Sequence, residues 1–192
     1  MSGSAVGPSL LTTGELEAEI GVLLRYEVVD RATGALIGKA RRGTVWDLDG
    51  RPLVQLVGRD ENDWGIVESM GEPVGWIRPA SEKYGNREVA MSPRAPYGWA
   101  GSIRLARADH DVARIRNGQV TDIRTKQAIA VLGVPAKRRS WPLNEFGYQQ
   151  HHGIWTMKFV DNPSRPLRIM SLAWLLHAWR MQRIVDRQTA YD

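Results

Sequence analysis

Between Arg25 and Phe159 apolar residues recur at every second position, and short polar turns interrupt the alternation at regular intervals. A period of two belongs to strands with one buried face. One unit recurs five times: a strand, a polar turn, and a second strand ending in an aliphatic residue flanked by small or basic ones. The copies are LLRYEVVD-RATG-ALIGKA from Leu23, TVWDL-DG-RPLVQLVG from Thr44, WGIVES-MG-EPVGWIRP from Trp64, IRLARA-DHD-VARIRN from Ile103 and QVTDI-RTK-QAIAVLGV from Gln119. Asp49-Gly50 and Met70-Gly71 are two-residue hairpin signals, and Thr33-Gly34 suits a longer turn with glycine at positive φ. Trp99 to Ile103 extends the fourth hairpin, and WTMKFV from Trp155 to Val160 adds a strand. Five hairpins and this addition predict about eleven or twelve antiparallel strands. Pro79 to Tyr97, with three prolines, reads as a strand within long loops. Val134 to His152 reads as a polar, basic and aromatic connector.

After Val160 the period changes. Pro166 to Arg187, PLRIMSLAWLLHAWRMQRIVDR, carries apolar residues around almost its whole circumference between Leu167 and Ala178. A helix apolar all round is buried in protein or spans a membrane. Arg168, His177, Arg180 and Arg183 interrupt the run, and no stretch of about 18 uncharged apolar residues exists in it. The prediction is a protein-sheathed helix over about 166–187, opened by Ser164 as cap and Pro166 in the first turn. At the other end, Met1 to Leu11 reads as a loose tail. Thr12-Thr13-Gly14-Glu15 matches a capping box and predicts a short helix from Thr13 to Ile20.

The two halves explain each other. About eight strands fill a barrel with their own side chains. Twelve leave a wider lumen, close to the ~10–12 Å diameter of a helix. The expected fold is therefore mainly β: a closed antiparallel barrel of about twelve strands around a buried C-terminal hydrophobic helix. Residues 1–20 would form the tail and short helix, and residues 21–192 the barrel domain.

Composition narrows this picture modestly. In 192 residues, 43% hydrophobic and 24% charged content is ordinary for a globular chain. The absence of cysteine excludes disulfides, Cys-ligated zinc and Cys nucleophiles. No basic and apolar leader opens the chain, which places it in the cytoplasm or at the membrane periphery as an expectation. Eight tryptophans are read first as core residues. The net charge of +5 allows an anionic partner without naming one.

The hairpins Val28-Val29-Asp30…Gly34-Ala35-Leu36-Ile37-Gly38 and Ile66-Val67-Glu68…Gly71-Glu72-Pro73-Val74-Gly75-Trp76-Ile77 precede a late strand with Trp155 and Phe159 and an apolar C-terminal helix. Over about Leu23 to Arg187 this order resembles the Tubby C-terminal-like superfamily, most closely its LURP-one-related and phospholipid scramblase branch. The resemblance implies a twelve-stranded barrel around a buried C-terminal helix. Tubby proteins proper bind phosphoinositides through basic side chains on the barrel. The scramblase branch is associated with an Asp-rich calcium segment beside the final helix; here only Asp161 and Asp186 stand near the helix ends.

Candidate chemistry is sparse. No nucleophile-elbow, zincin, phosphate-loop or CxxC motif occurs. His151 and His152 are adjacent, so on a strand they would face opposite ways and could not easily share a metal. His177 reads as a core histidine. Asp60, Glu61 and Asp63 read as a solvated turn before any weak calcium site. Two basic clusters remain: Lys39, Arg41 and Arg42, and Lys137, Arg138 and Arg139, the second near Trp141, Phe146 and Tyr148. Cations interleaved with aromatics can hold a lipid headgroup or a nucleic-acid phosphate. The long helix is needed inside the barrel, which ranks nucleic acid below lipid or protein. The expectation is a non-enzymatic binding or scaffold module, without cofactor or metal, for an anionic phospholipid or a partner protein. The alternatives are a scramblase-like membrane protein and a nucleic-acid-binding module. Oligomeric state is left open.

Overall fold

Fourteen strands and one helix carry the described residues of this computed structural model: 8–19, 26–41, 43–59, 65–79, 101–116, 118–133, 139–140, 151–152 and 154–188. The strands are β1 (Glu15–Glu19), β2 (Tyr26–Asp30), β3 (Leu36–Arg41), β4 (Thr44–Trp46), β5 (Pro52–Arg59), β6 (Gly65–Ser69) and β7 (Glu72–Pro79). They continue with β8 (Gly101–Leu105), β9 (Ala113–Arg116), β10 (Gln119–Asp122), β11 (Ala128–Gly133), β12 (Arg139–Ser140), β13 (His151–His152) and β14 (Ile154–Phe159). The helix α1 is Arg165–Gln188. All five predicted hairpins and the late strand are present.

Twelve strands close a barrel in the order β1-β14-β11-β10-β9-β8-β7-β6-β5-β4-β3-β2, and β12 pairs with β13 apart from it. Every ring neighbour is antiparallel. The alternation read from the sequence sets the faces. Leu16 lies opposite Met157, Ala18 opposite Trp155, and Val120 opposite Ala130, all buried. Bulges at Val28/Val29, Val45/Trp46, Leu56/Gly58, Val67/Glu68 and Val120/Thr121 bend the sheet as closure requires. Gly75 is inward-facing, paired with Val67 and Leu105. A Cβ there would strike the Arg104 carbonyl oxygen, so only glycine fits.

The helix fills the lumen. Nine consecutive residues, Arg168 to Leu176, are buried. At 3.6 residues per turn they sweep more than two turns, so every side of the helix is covered. α1 reaches β5, β6 and β7 and also β11. β5 and β11 stand six places apart in the twelve-membered ring, on opposite walls. Trp174 is 0% exposed and Leu175 2%. A helix lying outside an open sheet could not give these values.

The N-terminus differs from its expectation. Glu15–Glu19 is the strand β1 and not part of a helix. It zips between β14 and β2 and closes the ring. Its sequence, Glu-Leu-Glu-Ala-Glu, has a period of two, and that signal wins over the capping box. Thr13 does not cap a helix. Its hydroxyl donates to Glu15 O at 2.9 Å and to Asp30 Oδ1 at 2.5 Å. The barrel therefore begins before residue 21. The tail is also shorter than expected, because Ser9 O accepts from Thr12 N and Thr13 N, and Leu10 is 1% exposed. Leu10 occupies the space over Gly38, where a Cβ would come within 2.5 Å of Leu10 Cδ1 and 2.7 Å of Trp46 O.

The turns follow their glycines. Met70 (φ 55°) and Gly71 (φ 82°) form the two-residue β6–β7 connection, both at the positive φ of a type I′ turn. Asp49-Gly50 lies in a longer connection than the two residues predicted. Asp47 N donates to Arg51 O, and Asp47 Oδ1 accepts from Arg51 N, so Asp47 claims the closing position.

Candidate functional site: cations at one rim of the barrel

Because the strands alternate in direction, the barrel has two distinct ends. The upper rim is where β14 finishes and α1 begins. It also carries the N-terminal segment and the turns after β2, β4, β6, β8 and β10. The lower rim carries the ends of β1, β3, β5, β7, β9 and β11.

A buried polar network closes the upper rim. Arg168 is 2% exposed. Its Nη1 donates to Thr13 O at 2.6 Å and its Nη2 to Asn162 Oδ1 at 3.3 Å. Its guanidinium lies 4.0 Å from the centre of the Phe159 ring. Among the described residues no carboxylate pairs with it, and its Nε is without a partner. Burial pushes its pKa down from the usual guanidinium value. Arginine nonetheless stays charged. Asp30, 4% exposed, accepts from the Thr13 hydroxyl and, through Oδ2, from Thr33 N at 2.9 Å and Thr33 Oγ1 at 2.7 Å. These bonds, the Thr13 hydroxyl first, hold its pKa below the ordinary carboxylate value. Thr13 thus joins α1, β1 and β2. The arrangement positions the helix at this rim.

The outer wall is polar and unevenly charged. On β7 and β8, Asp111 accepts from Ser102 Oγ at 2.7 Å and Arg104 Nε at 3.2 Å, with Arg78 Nη1 3.6 Å away. On β9, Arg114 and Arg116 are exposed, as are Lys39 and Arg41 on β3. These four make no ion pair among the described residues. On β1, Glu15 and Glu17 pair with Arg31.

The sequence-predicted site residues fall as follows. Lys39 and Arg41 are on the outer face of β3, with Arg41 at its lower end. Arg139 is in β12, opposite His152. Arg42, Lys137 and Arg138 lie outside the described residues, as do Asp60, Glu61 and Asp63 and the side chains of Arg180 and Arg183. The 134–153 connector leaves the barrel at the end of β11 and rejoins it at the start of β14, both at the lower rim. Of the two basic clusters, only Lys39 and Arg41 are placed on the barrel by the described residues. His151 and His152 form β13, and His177 is partly buried and engaged.

Sequence reasoning singled out Arg41 but missed the other strand-end arginines. β3 ends at Arg41, β5 at Arg59, β7 at Arg78-Pro79 and β9 at Arg116. The signal was present, since the second strand of four predicted units or its continuation runs into a basic residue at one end. Arg168 was read only as an interruption of the helix.

Among the described residues no group of three or more His, Asp or Glu side chains could hold a metal ion, and no helix is long and apolar enough to cross a membrane. Comparison with family models, with curated proteins and with solved structures finds no match for this chain.

Proposed function

We propose that the chain is a non-enzymatic binding or scaffold module of the Tubby-like, LURP-one-related kind, and that its ligand is an anionic phospholipid headgroup. One observation carries the reading: exposed cations on the barrel, Lys39, Arg41, Arg114 and Arg116, without carboxylate partners among the described residues. The non-enzymatic part is supported by the lumen, which α1 fills where a substrate cavity would otherwise lie. The burial of Arg168 to Leu176 also weighs against a scramblase-like role, which needs that helix in the bilayer. Leaving the barrel would expose Trp174 and Met170, both at 0%, and break the Arg168 bonds.

Flotation with neutral and anionic vesicles tests this. The parent protein should float only with anionic vesicles, and less as salt rises, because exposed charges are screened over about 8–10 Å at physiological ionic strength. Each cation near such a surface contributes about 1 kcal/mol. Replacing Lys137, Arg138 and Arg139 together by Ser should therefore weaken binding by roughly two orders of magnitude, with the melting temperature nearly unchanged. If the parent binds no anionic vesicle at any salt, the lipid reading fails and a protein partner takes its place.

A further inference from the structure

We propose that the upper end of the barrel is the contact face of a two-fold dimer, in which two copies of this chain meet mouth to mouth. The inference stands apart from the lipid reading.

The turns of this end carry residues that their geometry disfavours. The β6–β7 connection places Met70 at φ 55°, where Asn, Asp or Gly is the usual choice. The β2–β3 and β10–β11 turns are built alike: Asp30 accepts from Thr33 N, and Asp122 from Thr125 N. The next residue of each turn has positive φ. The first turn uses Gly34 there (φ 70°), but the second uses Lys126 (φ 62°). The β4–β5 turn sets Leu48 between Asp47 and Asp49. Leu48 is 58% exposed and Met70 50%, the most exposed large apolar side chains among the described residues. Strained and exposed side chains gathered at one end point to a use other than folding.

The occupant follows from charge and area. In ring order β4 and β5 stand six places from β10 and β11, so their turns face each other directly across the mouth. The β4–β5 turn is net acidic, with Asp47 and Asp49 against Arg51. The β10–β11 turn exposes Arg124 and Lys126, while the Asp122 carboxylate accepts from the backbone of its own turn. A two-fold axis in the contact plane, passing between β7 and β8, seats each acidic turn on the basic turn of the second copy. It also lays the β6–β7 turn, with Met70 and Glu72, on the β8–β9 turn, with Arg107 and Ala108. Every such contact occurs twice. A mouth that mixes both signs suits a copy of itself better than an anionic surface. Twelve strands about 4.8 Å apart and tilted about 40° make a ring about 24 Å across its backbone. With side chains its end presents roughly 900 Å², close to the ~800 Å² that each partner gives to a standard interface.

Sedimentation across a concentration series tests this. The parent should form a dimer and no larger species, because a two-fold contact closes on itself. Asp49→Lys or Lys126→Glu alone should weaken the dimer about tenfold, since each reversal acts twice. Both reversals in one chain should restore it, because the exchanged charges meet across the two-fold. Met70→Asn should move two readouts in opposite directions, raising the melting temperature by relieving the turn while weakening the dimer. Val131→Asp, on the outer wall, should leave the dimer unchanged. A parent that stays monomeric up to about 1 mM would overturn the proposal, and the exposed apolar turns would then belong to a different partner. Species larger than the dimer, or no rescue by the double reversal, would overturn the two-fold arrangement.

Discussion

Trp174 shows how much one side chain carries in this fold. Its indole is 0% exposed, and its Nε1 has no hydrogen-bond partner among the described residues. The two facts act in opposite directions. Emptying the site by Trp174→Ala leaves a cavity at the barrel axis and should cost about 3–5 kcal/mol, a large part of a typical domain's stability. Trp174→Phe loses part of the ring but also removes an unpaired buried donor, worth about 1–3 kcal/mol. The losses should nearly offset, leaving the phenylalanine variant within about 1 kcal/mol of the parent. Urea denaturation of both variants checks this. An alanine variant as stable as the parent would mean that the ring does not fill the lumen. Burial of Trp174 was legible in the sequence, since it lies where helical positions are apolar on all sides. The missing partner was not, because it depends on which wall the indole meets.

At the scale of elements, the junction of β1, β2 and α1 is where sequence and structure parted. A capping box predicted a helix at residues that form β1. Thr13 and Glu15 have the right spacing, yet Thr13 is spent on Asp30 and Glu15 on Arg31. Local capping is worth about 1 kcal/mol, less than the ladder bonds on two sides and the burial of Leu16 and Ala18 that the strand gains. The hairpins were legible because each carries its own turn and alternation. The pairing of β1 with β14 was not, since no local residue signals a partner about 140 positions away. Asp30 gives this junction a pH dependence. Its folded pKa lies below the ordinary value of 3.8, chiefly because the Thr13 hydroxyl donates to it. The ionised form therefore carries stability that is present above that value and lost as pH falls through the lower folded one. Asp30→Asn should flatten the fall in melting temperature below about pH 4. An unchanged acid slope would mean that the junction does not depend on the charge.

For the whole molecule, topology decides. Antiparallel closure sends the ends of β3, β5, β7, β9 and β11 to one rim. The hairpins were visible in the sequence; their closure into a ring was not, because the pairing of β1 with β14 carries no local signal. The same closure creates a lumen wider than strand side chains can fill, and α1 fills it. That enclosure is the central claim, and native-state hydrogen exchange tests it most directly. Amides of Arg168 to Leu176 should exchange only through global unfolding, with the same protection and denaturant dependence as those of Ile115, Val120 and Met157 in the wall. If the helix amides exchange through local opening while the wall stays protected, the helix is not enclosed.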